Sequence, residues 1–177
     1  MTQDTTELEQ KKTILLVDDN RDNIITLLNM LQDEYRIQFA TSGPEALALI
    51  DERMPDLVLL DVMMPDMDGY EVIARLHQNP RYQDLPVIFV TALHDVDNEE
   101  RALSAGAVDF ISKPVHPQTV LARVKTHLRL RQREQEVQTL NLFLDDKVRE
   151  RTQQITLLNQ ALEQRTQQAE QANQAKR

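Results

Sequence analysis

Apolar runs of three to five residues alternate with stretches of helical period along the first two-thirds of the chain. Ile14-Leu15-Leu16-Val17, Leu57-Val58-Leu59-Leu60, Pro86–Val90 and Phe110-Ile111-Ser112 read as buried strands, and Ile37–Ala40 as another. Between them, Asp22–Leu31 sets Ile24, Leu27, Leu28 and Leu31 on one helix face. Ser42-Gly43-Pro44 opens a second helix with Pro44 in its first turn, and Met54-Pro55 stops it. A turn-rich loop, Met63–Gly69, precedes a third helix over Tyr70–Gln78 that turns Ile73 and Leu76 inward. Asn98–Ala105 is a short fourth helix with Gly106 at its C-terminal cap, and Pro117 begins the last. Five β-α units in this order predict an α/β fold, a five-stranded parallel doubly wound sheet with helices on both faces. Ligands of such sheets bind beyond the C-terminal ends of the strands.

The pattern changes after Pro117. All three Gly and all seven Pro lie at or before that residue, so nothing interrupts the last helix. Leu121, Val124 and Leu128 would pack on the sheet. Beyond them Val137, Leu140, Leu144, Val148, Ile155, Leu158, Leu162, Ala169 and Ala172 recur with Arg151 and Arg165 at steps of three and four. This is a heptad seam with one stutter between Leu144 and Val148. Some sixty helical residues reach about 90 Å. One helix cannot bury such a stripe, so residues 123–177 predict a long helical coiled-coil extension forming a parallel homodimer. The two arginines weaken the seam; they set its register or leave it loose enough to shift.

Charge divides the chain in the same place. Residues 1–122 carry 9 Lys+Arg against 22 Asp+Glu (9 − 22 = −13), and residues 123–177 carry 11 against 7 (11 − 7 = +4). The net charge of −9 argues against nucleic-acid binding. Arg123, Lys125, Arg129, Arg131 and Arg133 do form a basic stretch ahead of the seam, as DNA-binding zippers do, but it is expected to pack in part on an acidic domain. There is no Cys, which excludes disulfides and thiolate metal sites. No apolar run approaches membrane-spanning length. MTQDTTELEQKK is polar and acidic, without the apolar core of a signal peptide. The expected organisation is a flexible N-terminus over 1–12, a domain over 13–122 and the helical extension over 123–177, in a cytoplasmic protein.

The strand ends carry the chemistry. The runs terminate in Asp18-Asp19, Asp61, Thr91 and Lys113. In a parallel sheet these side chains meet at one edge. Three carboxylates together repel and raise one another's pKa. A hard divalent ion relieves that, and Mg2+ prefers a few carboxylates, water and phosphate oxygens. A carboxylate can act as nucleophile toward phosphorus by forming an acyl phosphate. Lys113 would offset charge on the phosphoryl oxygens and Thr91 would donate a hydrogen bond to them.

ILLVDDN, LVLLDVMMPDMDGYEV, PVIFVTAL and AGAVDFISKPV, in this order and at these separations, resemble the receiver domain of bacterial two-component response regulators (CheY-like, a flavodoxin-like fold) over residues 13–122. The resemblance implies that Asp61 is the phosphoacceptor. It implies Asp19 as a direct Mg2+ ligand, Asp18 as a ligand through water, and the backbone carbonyl of Met63 completing the metal shell. Thr91 and Lys113 match the pair that contacts the phosphoryl group. Phe110 matches the switch aromatic that turns inward when Thr91 moves, and Lys113-Pro114 would be cis. The donor would be a histidine kinase or phosphotransfer protein. His77, His94, His116 and His127 sit in no phosphotransfer motif and read as surface or helix-face residues. A receiver catalyses its own phosphorylation and slow hydrolysis and is otherwise not an enzyme.

The segment from Leu144 to Arg177 resembles the signalling helices that lead into sensor histidine kinases. The expected function is a phosphorylation-dependent switch whose state passes into a dimeric coiled coil. The alternatives are the N-terminal receiver and linker of a hybrid histidine kinase, a constitutive dimeric scaffold, and, last, a phosphatase with an Asp nucleophile.

Overall fold

A computed structural model describes residues 11–92 and 96–175, except for the side chains of 96–99 and 174. Residues 1–10 of the expected flexible N-terminus lie outside the described residues, as does His94. The elements are β1 (Thr13–Val17), α1 (Arg21–Leu31), β2 (Arg36–Ala40), α2 (Gly43–Glu52), β3 (Leu57–Asp61), α3 (Gly69–His77), a short 3-10 turn (Pro80–Tyr82), β4 (Val87–Thr91), α4 (Val96–Ser104), β5 (Asp109–Ser112) and α5 (Pro117–Gln174). Only the 3-10 turn has no counterpart in the sequence reading. The strands form one parallel sheet in the order β2-β1-β3-β4-β5. The expected doubly wound, flavodoxin-like sheet is therefore observed. Its strand order reverses between β1 and β3, which opens a crevice beyond their C-terminal ends.

The solid apolar runs follow from this topology. Every residue of β1, β3 and β4 is buried. Successive side chains point to opposite faces. Leu15, Val17, Val58 and Leu60 enter the layer under α2, α3 and α4. Ile14, Leu16, Leu57 and Leu59 enter the layer under α1 and the start of α5. β2 is an edge strand and is accordingly only partly buried.

The caps explain where the helices begin. Asn20 accepts from Asp22 N ahead of α1. Asp68 accepts from Glu71 N at 2.8 Å ahead of α3. At α2, Ser42 accepts from Glu45 N at 3.3 Å, while the Glu45 carboxylate accepts from Thr41 N at 2.7 Å. Both arrangements satisfy amides that the first turn leaves open. Gly106 closes α4 at φ +99, and a Cβ there would run into the His77 ring. Gly106→Ala is expected to lose about 1–3 kcal/mol, read as a lower urea midpoint at constant slope.

The chain divides into two units, Met1–Arg131 and Gln132–Arg177. In the first, Val120 and Val124 of α5 are fully buried and Leu128 nearly so. Arg131 ends that unit at 8% exposure, its guanidinium donating to Pro55 O at 3.3 Å and Asp56 O at 2.6 Å. Asp56 in turn accepts from Thr13 N at 2.8 Å and pairs with Lys12, so one anchor joins the starts of β1 and β3 to α5. The second unit is helix with its apolar side chains exposed, among them Val137, Leu140, Leu144, Val148, Ile155 and Leu158. Among the described residues no helix is long and apolar enough to cross a membrane.

Candidate functional site

The register of the sheet assembles the site. Val17 pairs with Leu60, which sets Asp18 beside Asp61 one residue further on. Asp61 pairs with Val90, so Thr91 follows next to it. Thr91 pairs with Ser112, the residue before Lys113, and Lys113 N donates to Thr91 O at 2.7 Å. The strand-end residues singled out by sequence therefore share one edge. The carboxylates of Asp18, Asp19 and Asp61 each offer an oxygen within 4.8 Å of the others.

Lys113 Nζ lies 2.8 Å from Asp18 Oδ2 and 3.1 Å from Asp61 Oδ2. Asp18 is almost fully buried and well supported, accepting from Asn20 N at 2.9 Å and from Asn23 Nδ2 at 3.0 Å on both oxygens. Asn23 was not legible in the sequence as part of the site. It sits on the first turn of α1, where a polar residue is expected in any case. Asp61 is 5% exposed and accepts a long bond from Met63 N at 3.4 Å. Asp19 is exposed, and Thr91 is buried. Phe110 is partly buried against the layer under α2–α4, and the Lys113-Pro114 bond is cis. His127 is not a free surface group: its Nε2 lies 3.0 Å from Asp109 Oδ2.

The loop after β3 leaves no room for a side chain on Gly69 beside the Asp61 backbone. Gly69 N donates to Val62 O at 2.9 Å, and a Cβ on Gly69 would stand 2.6 Å from Asp61 O. Glycine at this position lets the start of α3 approach the end of β3.

Burial raises the Asp61 pKa first of all, and the neighbouring Asp18 charge adds to it, against the opposing effect of Lys113. Burial alone would lower the Lys113 pKa, but its hydrogen bond to Asp18 and the two carboxylate charges outweigh that and raise it. Three carboxylates against one ammonium leave the cluster near −2 when all are ionised. That charge, on hard oxygen donors within 4.8 Å, fits a divalent ion such as Mg2+.

The sequence model of the family described as "Response regulator receiver domain" matches residues 14–125. The chain belongs to that family. The receiver is 40% identical over 129 residues to the response regulator PleD of Caulobacter vibrioides, covering 68% of this chain and 28% of that protein. A Vibrio cholerae protein named "Probable cyclic di-GMP phosphodiesterase" is 38% identical over 150 residues, 85% of this chain and 34% of its own length. The chain thus spans about a third or less of these two curated relatives. Among solved structures, a CheY-like receiver domain protein from Methanospirillum hungatei superposes with a TM-score of 0.65 at 31% identity, covering 71% of this chain and 99% of that one. The receiver of this chain is a signalling domain; receivers in general bind Mg2+ at an acidic site, and this one carries an Asp cluster.

Proposed function

We propose that the chain is a phosphorylation-dependent switch in which Asp61 accepts a phosphoryl group from a histidine kinase or phosphotransfer protein. The observation that carries this reading is the Lys113 ammonium bridging Asp18 and Asp61 at the switch point of the sheet, with Asp19 in reach. An Asp61 oxygen attacks phosphorus, the bond from phosphorus to the donor nitrogen breaks, and the donor imidazole takes up a proton. The product is an acyl phosphate on Asp61. Lys113 exchanges part of its contact with Asp61 for a phosphoryl oxygen, and Thr91 donates to another. Asp18, Asp19, Asp61 and the Met63 carbonyl would hold Mg2+, which supplies neutralisation of the phosphoryl oxygens. Phe110 then turns inward behind Thr91.

Residues 123–177 would carry the state onward as a parallel homodimer. Support comes from the exposed apolar seam and from the Vibrio cholerae relative. Its 150 aligned residues exceed the 125 that precede the end of the receiver match, so at least 25 lie further along the helix (150 − 125 = 25). A receiver running on into this helix as far as about residue 150 thus aligns with part of a longer protein. That favours a regulator with a separate output module over a hybrid kinase or a constitutive scaffold. The setting for such a relay would be the cytoplasm.

The test is direct. Incubation with Mg2+ and acetyl phosphate should add one phosphoryl group, seen by intact mass, and chelating the Mg2+ before the reagent is added should prevent the addition. A wild-type protein that stays unmodified with Mg2+ present would sink the assignment.

A further inference from the structure

Arg123, His127 and Arg131 lie on consecutive turns of α5, beside its apolar stripe of Val120, Val124 and Leu128. Arg131 grips the loop before the central strand β3, and the other two grip Asp109 at the start of the edge strand β5. Asp109 opens β5. Its Oδ1 accepts from the Arg123 guanidinium and from Phe110 N at 2.8 Å, and its Oδ2 faces His127 Nε2. Burial would raise the pKa of this carboxylate, yet these hydrogen bonds hold it below the ordinary range. It is a fully engaged acceptor, fixed at the residue next to Phe110.

The same guanidinium has a second grip. Arg123 Cζ lies 5.7 Å from the centroid of the Phe110 ring. A cation over an aromatic face is attracted only while the ring presents that face. If Phe110 turns inward, the contact is lost. Of its described contacts Arg123 then keeps the pair with Asp109, through a side chain 39% exposed and so screened by solvent. The geometry points to Arg123 as a positioning residue that couples the orientation of Phe110 to the docking of the first turns of α5. It rests on the reading of Phe110 as the switch aromatic and deepens it, since it names the side chain through which β5 acts on the helix leading into the seam. Arg123 touches none of Asp18, Asp61 or Lys113 by any hydrogen bond or ion pair described for it, so its loss leaves the phosphoryl site intact.

The coupling gives a graded result along one helix. The turns around Arg123 loosen when Phe110 leaves, while those around Arg131 stay held by the Pro55 and Asp56 carbonyls. Loss of a cation–π contact of this exposure changes the opening equilibrium by about two- to fivefold.

Hydrogen exchange on the full chain, with Mg2+ and with or without beryllofluoride, tests this, while 19F NMR reports beryllofluoride binding separately. In the wild type, bound beryllofluoride should speed exchange over residues 117–126 by about two- to fivefold, with little change over 128–131. In Arg123→Ala the same amides should already exchange at the faster rate and gain nothing on binding. Arg123→Lys should recover part of the response. Phe110→Leu, which removes the ring and leaves the ion pair, should behave as Arg123→Ala does. The amides of β1 and β3 serve as the control for folding in every variant. Beryllofluoride that fails to bind the wild type would overturn the phosphoacceptor reading. Normal binding with an unchanged helix in the wild type, or with the full response in Arg123→Ala and Phe110→Leu, would overturn the coupling alone.

Discussion

Asp61→Asn is expected to abolish phosphoryl incorporation and, without divalent ions, to make the fold more stable at neutral pH. The first outcome follows from removing the proposed nucleophile, since an amide oxygen forms no acyl phosphate under these conditions. The second follows from the electrostatics. Burial, and after it the charge on Asp18, raise the folded pKa of Asp61 above its ordinary value of 3.8, although Lys113 opposes them. A group with a raised folded pKa contributes stability that is fully present below its unfolded pKa and is lost as pH rises through the folded one. At pH 7 the ionised carboxylate is therefore a net cost, which the amide removes. Lys113 keeps its 2.8 Å bond to Asp18 in the variant, so no buried ammonium is left alone. The gain should be on the order of 1 kcal/mol, a few degrees in melting temperature. It should shrink as pH falls through the raised pKa and vanish below the ordinary carboxylate range. Thermal melts in chelator at neutral pH and at about pH 3 would measure it. A variant less stable at neutral pH would mean that the Lys113 pair outweighs desolvation.

Replacing Arg151 and Arg165 together by Leu should tighten self-association on the order of a hundredfold or more. In the seam, Val148, Ile155 and Leu162 take one core position and Arg151, Leu158 and Arg165 the other. A parallel pair stacks each core residue against its own copy, so two layers would bring guanidinium against guanidinium. The tetrapeptide Arg-Thr-Gln-Gln recurs at 151–154 and 165–168, two heptads apart. The positions flanking the core there are Thr152, Gln154, Asn159, Ala161, Thr166 and Gln168, none of which is charged. No carboxylate is thus placed to answer the arginines across the interface. Each Leu that becomes buried is worth roughly 1.5–3 kcal/mol, and four enter per dimer. Sedimentation at several concentrations reads the result. An association constant unchanged by the substitutions would overturn the proposed pairing through this seam.

The reach of the sequence differed between elements for physical reasons. β1, β3 and β4 were legible because a strand buried on both faces must be apolar throughout. The gathering of Asp18, Asp61, Thr91 and Lys113 followed from strand ends in a parallel sheet, which pattern alone can place. Asn23 and Val120 escaped, since the first looks like any polar residue of a first turn and the second lies just outside the stripe chosen for α5. Arg123, His127 and Arg131 read as a basic run or a helix face, because nothing local tells a solvated cation from one whose acceptor is distant in sequence. Arg123 meets Asp109, 14 residues earlier, and Arg131 meets Asp56, 75 residues earlier. The helix at 96–104 begins two residues before the expected Asn98, within the usual uncertainty of helix ends.

The Arg131 anchor has a practical corollary for anyone transplanting this receiver. The family match ends at residue 125, six positions before Arg131. A fragment trimmed at that border would keep the cluster of Asp18, Asp19, Asp61 and Lys113 whole. It would also leave the Pro55 and Asp56 carbonyls facing water and cut α5 ahead of its last fastening. A chimera that joins a foreign output after Arg131 should inherit the receiver's own grip on the outgoing helix, whereas one joined at 125 must supply a substitute.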